Sequence, residues 1–175
     1  MSGDKGPGPR TVSADEALGH IRSGSRIFLG SGCAVPQTLV EGLSRQAHRL
    51  RDVQLCSLLT FGTADYAGDR FLRHFRHNAF FIGANVRAAV REGRADYTPI
   101  FLSEIPALFR TGRMVIDVAL ISVSPPDQHG YCSYGVSTDI VIPSLFNTDA
   151  FGEANHPYSL PTQSIPSFSV IFIMC

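Results

Sequence analysis

Two loops hold the residues whose types and spacing could do chemistry. The first, Gly30–Pro36, places two glycines one residue apart, directly before a segment of helical period. Because glycine adds no side chain, backbone N–H groups at a helix N-terminus can approach a carboxylate or a phosphate closely. A tight turn without a ligand explains the pattern equally well, and no acidic residue follows at the spacing of a dinucleotide fingerprint. The loop therefore predicts a turn that is either anion-binding or purely structural.

The second loop, Ser124–Gly135, gathers an acid, an imidazole and a thiol. Asp127, His129 and Cys132 are side-chain types that hydrolytic enzymes combine. The sequence Pro125-Pro126-Asp127 has its own explanation, because proline and aspartate favour tight turns. We favour the turn interpretation, so these residues alone predict no catalytic role for the loop.

Three further side chains are weaker candidates. Cys33 lies near the start of a predicted helix, where the helix dipole could activate a thiol, but a packed thiol is the favoured interpretation. His74 and His77 have the i,i+3 spacing of two metal ligands on a helix. No carboxylate or cysteine completes that set, so a solvated basic helix face is favoured and no metal site is predicted.

The two loops must be positioned by the elements around them, and these elements alternate along the chain. Strands are predicted at Arg26–Gly30, Val53–Leu59, Asn78–Ile82 and Met114–Val123, and helices from Ser13, from Pro36, around Arg70–Arg76, at Asn85–Gly93 and from Ser103 to Phe109. Such alternation predicts an α/β fold, an open, mainly parallel sheet flanked by helices. Ligands of these sheets bind outside the carboxyl ends of the strands, where both loops lie.

The composition excludes several classes of function. Fifteen Lys and Arg residues balance fifteen Asp and Glu residues, so the chain lacks the positive surface that nucleic acid requires. Lys5 is the only lysine, which excludes a P-loop or Schiff-base lysine in the folded part. No apolar stretch is long enough to cross a membrane. Four cysteines without a C-x-x-C pair indicate reduced thiols and a cytoplasmic location, while a mitochondrial location stays open.

Three segments are expected along the chain. Residues 1–11 form a Gly- and Pro-rich leader that we predict to be disordered, and residues 12–139 form the domain. Residues 140–175 contain no Lys or Arg and are interrupted by Pro143, Pro157, Pro161 and Pro166. Prolines break helices and strands, so we predict an irregular, divergent tail.

The run Val118–Ser137, which contains VSPPDQHGYCSYGVS, closely resembles the acetyl-CoA hydrolase/transferase family. The segment Gly93–Pro106 and the Gly30–Pro36 turn support the resemblance, which covers residues 12–139. It is a resemblance to the N-terminal domain of that family only, and it implies a truncated CoA-transferase-like fold of the NagB/RpiA type. The family includes acetate, succinate and 4-hydroxybutyrate CoA-transferases.

The resemblance implies a ping-pong acyl transfer in which a glutamate carboxylate attacks a thioester. In the family, that glutamate and the main CoA-binding glycine motifs belong to a second domain, and nothing after Ile140 resembles it. Glu104 matches a helix-start segment, so no catalytic residue is assigned here. The substrate-binding residues predicted from the two loops are Gly30, Ser31, Gly32, Pro36, Pro125, Asp127, Gly130 and Gly135.

The function expected from the resemblance is that of one half of an acyl-CoA hydrolase or CoA-transferase, inactive alone. The enzyme would move CoA between an acyl-CoA and a small carboxylate such as acetate, with a CoA thioester as substrate and no tightly bound cofactor. A homo-oligomer stays open. The alternative is a non-catalytic remnant or interaction module of the same fold. A sugar-phosphate isomerase-like enzyme is disfavoured, because it would need a lysine or paired carboxylates at the site.

Overall fold

An open parallel sheet, flanked by helices, is the framework of the protein. The computed structural model describes residues 12–125, residue 128 and the backbone of residues 169–174. The strands are β1 (Arg26–Leu29), β2 (Val53–Ser57), β3 (Phe75–Ala79), β4 (Asp96–Tyr97), β5 (Val118–Val123) and β6 (Ser169–Met174). The α-helices are α1 (Ala14–Leu18), α2 (Gln37–Arg45), α3 (Arg87–Arg91) and α4 (Ile105–Arg110). Short 3-10 helices occur at Ala47–Arg49, Asp65–Ala67, Asp69–Phe71 and Leu102–Glu104.

The strand order is β4-β3-β2-β1-β5-β6, and every pairing in this six-stranded sheet is parallel. Parallel neighbours require crossover connections, which the helices provide along the described part of the chain. The predicted α/β fold class is therefore confirmed.

Local signals in the sequence explain the first two helices. The Ser13 hydroxyl accepts a hydrogen bond from the Glu16 N–H at 3.1 Å and so caps α1. In α2, Leu39, Val40 and Leu43 recur at helical spacing and are buried against the sheet, as their spacing predicts.

Alternate residues of the central strands pack into two separate hydrophobic cores, one on each face of the sheet. Ile27 and Leu29 of β1 pack on one face of the sheet with α1 and α2, whereas Phe28 packs on the other face. On that second face the Phe109 ring of α4 meets the rings of Phe28 and Phe80, with centroids 5.9 Å apart in both cases. Both faces of the sheet are covered, which is why five of the six residues of β5 are apolar.

The segment predicted as a helix around Arg70–Arg76 is different in the structure, and this prediction was wrong. A 3-10 turn at Asp69–Phe71 leads directly into β3, which begins at Phe75 and not at Asn78. His74 and His77 therefore do not share a helix face. His77 is buried in the strand beside Leu55 of β2, and pairing with neighbours on both sides decides this conformation.

The segment predicted to be irregular contains a strand, so that prediction was wrong for residues 169–174. β6 pairs with β5 over six positions, from Val118↔Ser169 to Val123↔Met174. An uninterrupted apolar run, Val170–Met174, has enough length for a strand once a neighbouring edge is present to pair with it. Residues 1–11 and 140–168 lie outside the described residues, so the predicted leader and the rest of the tail stay predictions.

Within the part of the chain that the structure describes, no helix has the length and apolar character needed to cross a membrane.

Candidate functional site

The Gly30–Pro36 turn ties three strands together at the carboxyl edge of the sheet. The Gly30 N–H donates to the Leu120 carbonyl of β5 at 2.8 Å, and the Gly32 N–H donates to the Leu59 carbonyl beyond β2 at the same distance. Gly32 has a φ of 58°, a left-handed conformation that glycine adopts without strain. Both N–H groups are occupied, so the structure favours the structural turn over the anion-binding one at these two glycines.

Two more residues of the turn support it from inside. Ser31 is 1% exposed, and Pro36 is buried at the N-cap of α2. The Pro36 carbonyl accepts hydrogen bonds from the N–H groups of Leu39 and Val40, both at 3.0 Å. The side chain of this turn that faces solvent is Cys33, a free thiol.

The second predicted loop is described only at its beginning. Pro125 is exposed and follows β5 at the carboxyl edge, and its carbonyl accepts a hydrogen bond from the Ser124 hydroxyl at 3.0 Å. Asp127, Gly130 and Gly135 lie outside the described residues, so their predicted roles in binding are not tested.

A loop that sequence analysis missed, Thr60–Thr63, lies beside the glycine turn. Gln37 of α2 donates from Nε2 to the Phe61 carbonyl at 2.7 Å and accepts from the Thr63 hydroxyl at 3.3 Å. Asn85 donates from Nδ2 to the Thr60 hydroxyl at 3.2 Å and to the Gly62 carbonyl at 3.3 Å. Two amides from distant parts of the chain thus fix the loop, and no local pattern could have shown it.

Large apolar side chains are exposed where three neighbouring strands end. Phe61 follows β2 and is 52% exposed, Phe81 follows β3 and is 60% exposed, and Phe101 follows β4 and is 77% exposed. Leu102, beside Phe101, is exposed as well. We call these four residues the carboxyl-edge apolar surface. Single exposed apolar residues are usually scattered over a protein surface. Several exposed aromatic residues at one edge of a sheet therefore indicate a binding surface.

Polar side chains are buried directly beneath this edge. The Ser57 hydroxyl at the end of β2 lies 3.4 Å from Nε2 of His77, and the Tyr66 ring lies against the imidazole with centroids 5.3 Å apart. Burial, opposed by the Asp96 carboxylate, lowers the pKa of His77 to about 4. The imidazole is therefore neutral near pH 7 and acts as a hydrogen-bonding core residue. Its burial in β3 was not recognisable from the sequence, which suggested a solvated face.

Metal binding gains no support from the histidines. The His74 imidazole contacts the Leu50 carbonyl through Nδ1 at 2.7 Å, and His77 is enclosed in the core. Among the described residues, no three His, Cys, Asp or Glu side chains come together as a metal site.

Glu104 stands at the start of α4, as the sequence predicted. Its carboxylate accepts a hydrogen bond from the Phe101 N–H at 3.3 Å. This contact orders the turn that carries Phe101, so the structure gives Glu104 a capping role.

The fold and this edge together define a class of protein. It is an open, parallel α/β domain whose carboxyl strand ends carry tight turns, fixed loops and exposed aromatic side chains, which is where such domains bind small molecules. The family model for the acetyl-CoA hydrolase/transferase N-terminal domain matches residues 9–149. The chain belongs to this family, and the match extends past residue 139, the boundary predicted from the motifs.

Curated relatives are CoA-transferases. A 4-hydroxybutyrate coenzyme A transferase of Clostridium kluyveri is 41% identical over 135 residues, which cover 77% of this chain and 32% of the relative. A succinyl-CoA:acetate/propanoyl-CoA:succinate CoA transferase of Fasciola hepatica is 42% identical over 137 residues, covering 77% and 28%. The chain thus spans about a third of the length of these relatives.

Solved structures with a similar fold include RipA and a CoA-transferase. RipA from Yersinia pestis is similar with a TM-score of 0.65 at 29% identity, covering 74% of this chain and 32% of RipA. The 4-hydroxybutyrate CoA-transferase of Porphyromonas gingivalis has a TM-score of 0.54 at 28% identity, covering 76% and 30%. The similarity to a RipA variant covers 93% of this chain and 41% of the variant, with a TM-score of 0.70 at 24% identity. At this identity the similarity shows the fold alone.

Proposed function

We propose that this chain is the N-terminal part of an acyl-CoA hydrolase or CoA-transferase that moves CoA between an acyl-CoA and a small carboxylate such as acetate. The observation that carries the proposal is the family match over residues 9–149. The names of the two relatives, a 4-hydroxybutyrate and a succinyl-CoA:acetate CoA-transferase, support a CoA thioester and a carboxylate as the substrates. No tightly bound cofactor is needed for this chemistry.

The carboxyl-edge apolar surface is our candidate for the wall that faces the acyl-CoA. Phe61 is presented by a loop that Gln37 and Asn85 fix by hydrogen bonds, so its ring costs little conformational entropy to position. Pro125 lies at the same edge after β5. The loop residues Asp127, Gly130 and Gly135 remain our candidates for substrate binding.

The chain alone is proposed to be inactive. In the chemistry that the family resemblance implies, a glutamate carboxylate attacks the thioester carbonyl, CoA leaves as its thiolate, and an acyl-glutamyl anhydride forms. The thiolate then attacks the glutamyl carbonyl, which releases the acyl carboxylate and leaves a glutamyl-CoA thioester. The resemblance implies that this glutamate belongs to a second domain, and this chain spans only about a third of the relatives' length.

A chimera tests the proposal. Residues 9–149 would replace the matching third of the Clostridium kluyveri transferase, and CoA transfer between acetyl-CoA and 4-hydroxybutyrate would be measured beside the intact transferase. We expect transfer by the folded chimera and none by the 175-residue chain. A folded chimera without activity would favour the alternative function, a non-catalytic interaction module.

A second substitution locates the nucleophile. Glu104→Gln in the chimera keeps an oxygen that can accept from the Phe101 N–H, so activity should stay within about threefold if Glu104 only caps α4. Borohydride treatment of the wild-type chain after acetyl-CoA addition, followed by mass spectrometry, should find no reduced glutamate. Loss of activity in the chimera, or a modified Glu104, would place the nucleophile in this half.

A cytoplasmic location is the remaining part of the proposal. Cys33 and Cys56 are free thiols, and reducing compartments keep thiols in this state. Cell fractionation should recover the chain with cytosolic markers. Recovery with mitochondrial markers would contradict this proposal and indicate a mitochondrial location.

A further inference from the structure

Within the family match, the sheet ends with β4 on one side and β5 on the other. These two strands differ in how their outer edges are protected from pairing with another chain. β4 ends the sheet on one side with only two residues, and Asp96 of this strand is paired with Arg76. Short length and charge are the usual means of preventing a strand edge from recruiting another chain. This end of the sheet is therefore blunted by its own residues.

β5, at the other side, has none of these protections. Its six residues, Val118–Val123, contain no charge and no proline, and five of them are buried. One edge of β5 is occupied by β1, with Ile27, Phe28 and Leu29 in register with Val118, Ala119 and Leu120. The other edge would expose a row of N–H and C=O groups on an apolar strand, which promotes aggregation when left open.

β6 covers that edge along its full length. Ser169–Met174 pairs in parallel with all six residues of β5, and α1 lies next to β6. Five consecutive apolar residues, Val170–Met174, suit a strand of this kind better than a solvated segment.

The residues of β6 lie outside the family match, which ends at residue 149. The likeness in fold to a RipA variant nevertheless covers 93% of the chain. Residues 1–149 make up only about 85% of the 175 residues, so this likeness extends into the segment after the match.

We propose that the chain completes its own sheet: β6, which lies beyond the family match, docks intramolecularly on the otherwise open edge of β5 and stabilises the domain. The interaction is a β-strand addition, in which backbone hydrogen bonds between the two strands give the affinity. It is independent of the proposed function, because it concerns folding of the chain alone.

Deletion of Ser169–Cys175 is the first test, with deletion of residues 1–8, also outside the family match, as the control. We expect the thermal midpoint of the first variant to fall by about 10 °C or more, and that of the control to change by less than about 2 °C. A peptide of residues 166–175, with Cys175→Ser, should restore the midpoint of the shortened chain in a concentration-dependent way, and a scrambled peptide should not. Equal midpoints for the full and shortened chains would overturn the proposal.

Proline substitutions in the full chain keep the proposal testable if the shortened chain does not fold. Successive N–H groups of a strand point to opposite sides, so at Ile171 and Phe172 only one N–H can face β5. Compared with alanine at the same position, proline should destabilise the chain strongly at one of these two residues and weakly at the other. Equal effects, or complete amide exchange across residues 169–174 within seconds, would contradict strand pairing.

The intramolecular form has its own control. The thermal midpoint of the full chain should not depend on chain concentration between 1 and 100 µM, a range of about two orders of magnitude. A midpoint that rises with concentration, and does so less in the shortened chain, would mean that β6 comes from a second copy and would overturn docking within one chain.

Discussion

The carboxyl and amino edges of the sheet differ in the types of residues that form them. At the carboxyl edge, glycine turns, fixed amides and the carboxyl-edge apolar surface surround buried Ser57 and His77. At the amino edge, the Arg26 N–H donates to the Asp117 carboxylate at 2.7 Å, and the Arg76 guanidinium pairs with Asp96. An open cavity of about 400 Å³ lies between these charged residues.

This cavity at the amino edge is not the better candidate site. The arginines at the amino edge already have partners, because Arg26 also donates to the Val115 carbonyl at 3.0 Å and Arg76 to the Gly93 carbonyl at 2.8 Å. The carboxyl edge instead leaves apolar rings in solvent. Charged side chains that already have hydrogen-bond partners indicate a structural role. Exposed aromatic rings on fixed loops indicate a surface that binds a ligand or another domain. We expect substitutions of the buried His77 and of Gly32, both at the carboxyl edge, to have larger effects than substitution of the half-exposed ion pair at the amino edge.

The largest expected effect concerns His77. Its folded pKa of about 4 lies below the unfolded value of about 6.5, so the unfolded chain binds more protons between these pH values. The contribution of this group to the free energy of unfolding should be fully present above about pH 6.5. It should fall by about 3 kcal/mol as the pH drops to 4. His77→Gln should remove this part of the pH dependence in urea unfolding. The exposed His48→Gln serves as control, and an unchanged pH slope in His77→Gln would refute burial of a neutral imidazole.

A smaller effect is expected at the glycine turn. Gly32 has a φ of 58°, which a β-branched residue adopts only with strain, so Gly32→Val should lower the free energy of unfolding by about 2 kcal/mol. Asparagine tolerates this conformation, and Gly32→Asn should cost less than about 1 kcal/mol. In the chimera, Gly32→Val should also reduce turnover. Equal stability of the two variants, measured by urea unfolding, would show that the turn does not require this backbone conformation.

Removal of an ion pair at the amino edge should cost less again. The Arg76 hydrogen bond lowers the pKa of Asp96, so the pair contributes above the unfolded pKa of aspartate and is lost as the pH falls through the lower folded value. Both side chains are about half exposed, and Asp96→Asn should cost about 0.2–1 kcal/mol at low salt and less in 1 M NaCl. The more exposed partner of Arg70, Asp65, provides the control Asp65→Asn. A loss at Asp96 larger than that of Gly32→Val would reverse the proposed ranking of the two edges.

The smallest effect is expected for Cys33. Cys33→Ala should change the free energy of unfolding by less than about 0.5 kcal/mol, because the side chain is exposed. Burial raises the pKa of Cys56 to about 12, so iodoacetamide at pH 7.5 should label Cys33 and leave Cys56 unmodified until the chain unfolds. Peptide mapping distinguishes the two sites. Equal labelling rates would mean that the core under the carboxyl edge opens readily.

The sequence by itself determined the features that depend on neighbouring residues along the chain. The capped start of α1, the apolar stripe of α2 and the strand character of β1, β2 and β5 all follow from local spacing. The motif Val118–Ser137 and the Gly30–Pro36 turn indicated the family that the comparison later showed. These signals persist in an isolated segment, which is why they can be recognised without a fold.

Only the tertiary structure decided the features that depend on distant partners. His77 looked like a solvated residue, but pairing of β3 between β2 and β4 encloses it. The N–H groups of Gly30 and Gly32 looked available for an anion, but carbonyls of Leu120 and Leu59 occupy them. A backbone hydrogen bond or a burial depends on which strands become neighbours, and that choice is a property of the whole sheet.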